Sequence, residues 1–206
     1  MERALTETYG TFGTLRQFST AGMTDRSIVY QALSGTGLSA DDIAAHWELF
    51  AQALALHMAV TVRECHARIC PGVSALLAAL SRRTDVLLGL VTGNLENTAP
   101  IKLRAVGIEP GLFLVGGFGS DDTDRNRLPA IAASRAEMLT GRRFAGGAIV
   151  VVGDTAADVA SGRAVGARIV AVATGVLPVE ALQAARPDAL LMDLSDLNKA
   201  LTAILV

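Results

Sequence analysis

The run Ala148-Ile149-Val150-Val151-Val152-Gly153-Asp154-Thr155-Ala156-Ala157-Asp158 decides the fold. Apolar residues without alternation predict a strand buried on both faces, as in a parallel sheet. Gly153 ends the strand, and Asp154 stands just beyond its C-terminal end. Thr155 marks a helix start, which would bring Asp158 to the same mouth as Asp154. Two carboxylates on a rigid turn suit a hard divalent cation with oxygen ligands. The same residues also read as a plain helix start, with Asp154 or Thr155 as cap and Asp158 solvated in the first turn.

Outward from this unit, strand, loop and helix repeat. Apolar runs at 86–91, 112–115, 168–173 and 188–191 predict the other strands, and helical segments fall at about 73–83, 96–106, 127–140, 156–165, 179–185 and 195–205. This alternation predicts an α/β fold with a parallel sheet. Pro100 must sit in the first turn of its helix or kink it.

Residues 1 to about 70 differ in texture. Ile43, Trp47, Phe50, Leu54 and Met58 share one helical face, with Ser39 as a candidate N-cap. A second helix is expected over 25–33, and another opens the chain, with Leu5 buried and Gly10 ending it. Cys70-Pro71-Gly72 breaks the pattern. Two domains are therefore expected, a helical one over 1–70 and a sheet-containing one over 71–206.

Polar residues gather just beyond the expected strand ends, where open parallel sheets bind ligands. Thr92-Gly93-Asn94 offers a hydroxyl and backbone N–H groups suited to an anion, or a simple capped turn. The stretch 116–126, Gly-Gly-Phe-Gly-Ser-Asp-Asp-Thr-Asp-Arg-Asn, is the one extended polar loop. Its Arg125 has the guanidinium geometry that pairs with phosphate oxygens, although a solvated charge run is the commoner meaning of such a stretch.

Composition narrows the class. The 206 residues are 51% hydrophobic and 18% charged, with a net charge of −2. Mean hydropathy is +0.41. This is a core-rich chain without the basic surplus that nucleic-acid binding needs. No apolar stretch reaches membrane-spanning length, and the first residues lack the apolar core of a signal peptide. Cys65 and Cys70 form no metal or disulfide pattern, which predicts a reducing, cytoplasmic setting. His46, His57 and His66 make no i,i+4 metal pair. There is no GxSxG elbow and no P-loop.

Taken together, Thr92-Gly93-Asn94, then Arg125, then Gly153-Asp154-Thr155-x-x-Asp158 resembles the haloacid dehalogenase (HAD) superfamily, and within it the phosphoglycolate-phosphatase-like hydrolases. The stretches Ala160-Ser161-Gly162-Arg163 and Thr174-Gly175 are similar as well. The resemblance implies a Rossmann-like core with an N-terminal helical cap. It also implies an Mg2+-dependent phosphatase acting on a small phosphorylated metabolite, with no nucleic-acid or membrane partner. It assigns phosphate binding to Thr92, Gly93, Asn94 and Arg125, with Arg125 in place of the family's usual lysine. Thr92, Arg125 and Asp154 would serve catalysis. Asp154 would bind Mg2+, and Asp158 would bind it or orient its waters.

One family element has no match in the sequence. HAD phosphatases carry a first strand ending in Asp-x-Asp-Gly-Thr, whose first Asp attacks phosphorus. Gly10-Thr11-Phe12-Gly13-Thr14 has no aspartate, and Asp25, Asp41 and Asp42 lack the pattern. The expectation is an upstream segment of about 20 residues, one strand and its loop. The alternatives are direct pairing of the flanking strands, giving a non-catalytic phosphate- and Mg2+-binding module, and a gap filled by another chain. A dehalogenase proper is disfavoured, because it normally lacks the Asp154–Asp158 pair.

Overall fold

The computed structural model describes residues 1–64, 67–175 and 177–205. The expectations for Cys65 and His66 therefore lie outside the described residues. The chain forms two compact units. The first comprises residues 1–67, 92–110 and 118–124, and the second residues 68–91, 111–117 and 125–206. The sequence suggested a single boundary near residue 70. Instead, the loops following two strands group with the N-terminal helices, because buried hydrogen bonds tie them there.

In the first unit, α1 (Glu2–Tyr9) ends at Gly10, whose φ of 73° is the left-handed conformation that glycine adopts without strain. Helix α2 (Asp25–Leu33) is capped by the Thr24 hydroxyl, which accepts from Ser27 N. Helix α3 (Ala40–Ala45) opens with a capping box between Ser39 and Asp42. After a break at His46, α4 (Trp47–Glu64) continues the expected apolar face in a second helix. Leu5, Val29, Leu33, Phe50, Leu54 and Leu95 form the centre of the core. Each such large side chain contributes about 1.5–3 kcal/mol by leaving water. Helix α6 (Ala99–Ala105) also belongs to this unit, with Pro100 in its first turn, where no N–H is needed.

The second unit contains α5 (Val73–Leu80), α7 (Leu128–Thr140), α8 (Ala156–Ala164), α9 (Val179–Ala184) and α10 (Leu197–Leu205). Its strands β3 (Val150–Gly153), β4 (Arg168–Val172) and β5 (Ala189–Leu191) form a parallel sheet in that order. Val150 lies opposite Arg168, and Val170 opposite Ala189. Strands β1 (Gly89–Thr92) and β2 (Val115–Phe118) form a separate two-stranded sheet. The second of these starts later than the expected strand at 112–115. Leu76, Leu80, Val170, Val172, Leu191 and Ala200 pack together, and Val86, Leu88 and Val150 join the same cluster. Helix α8 lies close on its sheet because Gly162 has no side chain; a Cβ there would come within 2.9 Å of Ile169.

The expectation of strands buried on both faces holds for β4, where Ile169, Val170, Ala171 and Val172 are at most 3% exposed. It fails for β3, where Val152 is 41% exposed. The reason is the division of the sheet. Among the described residues β3 pairs only with β4, so it is an edge strand despite its core-like sequence.

Candidate active site

Each unit carries one polar cluster at its strand ends. In the second unit, β3 delivers Asp154 and the first turn of α8 delivers Asp158. Thr155 caps α8 in a capping box, accepting from Asp158 N at 3.2 Å. In return, Asp158 Oδ2 accepts from Thr155 N at 2.9 Å, Thr155 Oγ1 at 2.7 Å and Asp154 N at 3.1 Å. Asp158 Oδ1 accepts from Arg125 Nη2 at 2.5 Å. Both oxygens of Asp158 are thus engaged by protein donors. Arg125 is held in turn by Asp158, and its buried Nε has no hydrogen-bond partner.

Asp154 differs. No other described residue donates a hydrogen bond to its carboxylate, which lies against Gly175; a Cβ at residue 175 would stand 2.2 Å from Asp154 Oδ2. Burial raises its pKa above the ordinary aspartate value, and the neighbouring Asp158 charge adds to this. A half-buried carboxylate that takes no hydrogen bond from another described residue fits one ligand position of a divalent cation. Asp158 fits the role of orienting the turn. Among the described residues no group of three His, Cys, Asp or Glu side chains is gathered as a metal cage. Any cation here would keep water or substrate oxygens, as Mg2+ commonly does.

In the first unit, Thr92 ends β1, and its Oγ1 accepts from Asn94 N at 3.2 Å and Asn94 Nδ2 at 2.7 Å. Gly93 is buried, and a Cβ there would stand 2.2 Å from Met23 O. Its carbonyl accepts from Asp25 N at 2.6 Å, and Asp25 Oδ2 accepts from Leu95 N at 3.1 Å. Thr24, fully buried, donates to Thr123 O at 3.0 Å. The Thr24-Asp25 pair thus pins the loop after β1. Burial raises the Asp25 pKa, and Lys102 and the Leu95 N–H oppose the rise. Asp25 also lines a cavity of about 650 Å3 in this unit, with Phe18, Ile28, Leu54, His57 and Met58 among its other walls.

Sequence reasoning found the strand-end residues of both clusters but missed Thr24, Asp25 and Lys102. A Thr-Asp pair at a helix start signals a cap, and nothing local shows that it reaches a loop some 70 residues away. Trp47, on the expected helical face, is buried with Phe50 at 5.5 Å between ring centroids and Arg26 at 5.1 Å over its ring.

The chain is similar to known proteins in part of its sequence and in its fold. Residues 129–197 match the HAD-hydrolase-like family. The chain is 31% identical over 138 residues to a phosphoglycolate phosphatase from Synechococcus elongatus, an alignment spanning 67% of this chain and 61% of that relative. In structure it is similar to a hydrolase from Pseudomonas syringae, with a TM-score of 0.65 at 20% identity, covering 98% of this chain and 88% of the other. CbbY from Rhodobacter sphaeroides, solved with xylulose-(1,5)bisphosphate, gives 0.63 at 16% identity over 95% and 88%. A predicted phosphoglycolate phosphatase from Haemophilus somnus gives 0.61 at 20% identity over 97% and 87%. The chain has the Rossmann-like fold of HAD hydrolases, and residues 129–197 carry the HAD-hydrolase-like match.

Among the described residues no helix is long and apolar enough to cross a membrane.

Proposed function

We propose that the protein is an Mg2+-dependent phosphomonoester hydrolase of the HAD type, acting on a small phosphorylated metabolite in the cytoplasm. The observation that carries this reading is the contrast between two neighbouring carboxylates. Asp158 is saturated by Arg125, Thr155 and the Asp154 N–H, whereas the Asp154 carboxylate takes no hydrogen bond from any other described residue. Asp154 is therefore the residue that would hold Mg2+, with Asp158 fixing the turn that presents it. When bound, the cation would offset negative charge on phosphoryl oxygens. Thr92, Gly93 and Asn94 bind phosphate through hydroxyl and amide donors, and Arg125 adds a guanidinium whose second role is to brace Asp158.

The relative named a phosphoglycolate phosphatase and the neighbour solved with a sugar bisphosphate both support a small phosphate ester as substrate. The attacking carboxylate is not supplied by any Asp-x-Asp-Gly-Thr in the 206 residues. Cation and arginine stabilise charge but do not provide a nucleophile. That absence, with the open edge of β3, favours a second reading for this polypeptide alone, a phosphate- and Mg2+-binding module without turnover.

Hydrolysis of p-nitrophenyl phosphate by residues 1–206 with MgCl2, beside Asp154→Ala, separates the two. Turnover abolished by Asp154→Ala establishes the hydrolase. Binding of phosphate and Mg2+ without turnover establishes the module. Absence of both binding and turnover rejects the site.

A further inference from the structure

The Thr92 hydroxyl is held in an unusual way. A hydroxyl has two acceptor lone pairs and one hydrogen to donate. Both acceptor positions of Thr92 Oγ1 are used by the same residue, through Asn94 N at 3.2 Å and Asn94 Nδ2 at 2.7 Å. Its hydrogen has no acceptor among the described residues, and Thr92 is only half-buried. What remains of its hydrogen-bonding capacity is one O–H donor.

This state depends on which way the Asn94 amide faces. With Nδ2 toward Thr92, the amide donates and the hydroxyl must direct its hydrogen elsewhere. With the amide flipped, Oδ1 would face Thr92 and take that hydrogen. Lys102, from α6, resolves the choice. Its Nζ donates to Asn94 Oδ1 at 2.5 Å. An ammonium only donates, so Oδ1 must face Lys102 and Nδ2 must face Thr92. Lys102 is itself exposed, and its charge opposes the burial that raises the Asp25 pKa.

We propose that Lys102 is a positioning residue which, through the Asn94 amide, keeps the Thr92 hydroxyl as an outward donor for a phosphate oxygen. The inference rests on the reading of Thr92 as a phosphate ligand and adds a residue that touches no phosphate itself. Lys102→Met removes the donor that fixes Oδ1. The amide then turns, Thr92 donates inward, and the anion loses one hydrogen bond. Lys102→Arg keeps a donor-only group at that place.

The test is binding of inorganic phosphate to residues 1–206 in MgCl2 buffer, measured by calorimetry for wild type, Thr92→Val, Lys102→Met, Lys102→Arg and the Thr92→Val/Lys102→Met pair. Both Thr92→Val and Lys102→Met should weaken binding roughly tenfold, the size of one lost hydrogen bond to a charged group. The double variant should be no weaker than either alone, because both remove the same bond. Lys102→Arg should restore most of the affinity, and melting temperatures should stay close to wild type because Lys102 is exposed. Additive losses would show that Lys102 acts as a separate charge and would overturn the proposal, as would unchanged binding in Lys102→Met. Unchanged binding in Thr92→Val, or none in wild type, would instead remove the reading of Thr92 beneath it, and the proposal with it.

Discussion

Arg125 Nη2 donates to Asp158 Oδ1 at 2.5 Å, and the two side chains are 19% and 14% exposed. The pair joins the turn before α7 to the first turn of α8. It is not symmetric in consequence. Asp158 also accepts three hydrogen bonds from the Asp154–Thr155 turn, whereas Arg125 keeps a buried Nε without a partner. Asp158→Ala removes a helix cap partner and leaves a largely buried guanidinium unpaired, and should lower unfolding free energy by about 2–4 kcal/mol. Arg125→Met should cost less, about 1–2 kcal/mol, because the other donors to Asp158 survive. Urea unfolding of both variants checks the order, and an equal or greater loss in Arg125→Met would contradict it.

The raised pKa of Asp154 sets a pH dependence. Burial is its main cause and the Asp158 charge the second. Because the folded state holds this proton more tightly than the unfolded chain, Asp154 makes stability fall as pH rises from the ordinary aspartate range to its raised folded value. Above that the loss is constant. Asp154→Asn should therefore flatten this part of the stability profile and raise the melting temperature at neutral pH without metal. Saturating MgCl2 should stabilise the wild type at pH 7, progressively less as acid protonates Asp154, and should have no effect on Asp154→Asn. Thermal melts across pH with and without MgCl2 test both parts.

Gly93 is where the loop after β1 meets the start of α2. A Cβ at this residue would stand 2.2 Å from Met23 O, a backbone atom that moves only with its helix start. Gly93→Ala should destabilise by about 1–3 kcal/mol and loosen the hydrogen bond from Asp25 N to Gly93 O. Faster amide exchange at Asp25 and Leu95, with a lower denaturation midpoint, is the expected signature.

Strands β3 and β4 differ in sensitivity although both read as buried. Ile169 is 1% exposed and Val152 is 41% exposed. Ile169→Ala should cost about 2–5 kcal/mol, whereas Val152→Ala should cost under about 1 kcal/mol. Comparable losses at the two positions would mean that the open side of β3 is covered in solution.

Much of the local structure was legible in the residues themselves. Helix α2 spans the expected residues 25–33. Ser39 caps α3 as expected, Gly10 ends α1, and Pro100 sits in a first turn. These follow from groups a few residues apart, whose geometry the backbone fixes. The apolar runs gave the existence and order of the strands, while their edges moved by a few residues. Pairing between strands sets those edges, and a run of apolar residues does not record its partner.

The candidate site divides along the same line. Thr92 and Asp154 announced themselves as polar residues after apolar runs, since a strand end is a local event, Asp158 by its place in the next helix's first turn, and Arg125 by its place in the extended polar loop. The Asp154–Thr155 turn engages one oxygen of Asp158 locally, but its other oxygen is taken by Arg125, 33 residues away in sequence. The hold of Asp25 on the Gly93 loop, the orientation of the Asn94 amide by Lys102, and the exposure of β3 were likewise decided in three dimensions. The sequence alone determined the order of elements, their caps and the chemical types at the strand ends, because those depend on short-range geometry. Tertiary structure decided which polar groups satisfy one another and which remain available to a ligand, because hydrogen-bond partners distant in the chain are chosen only when the core packs.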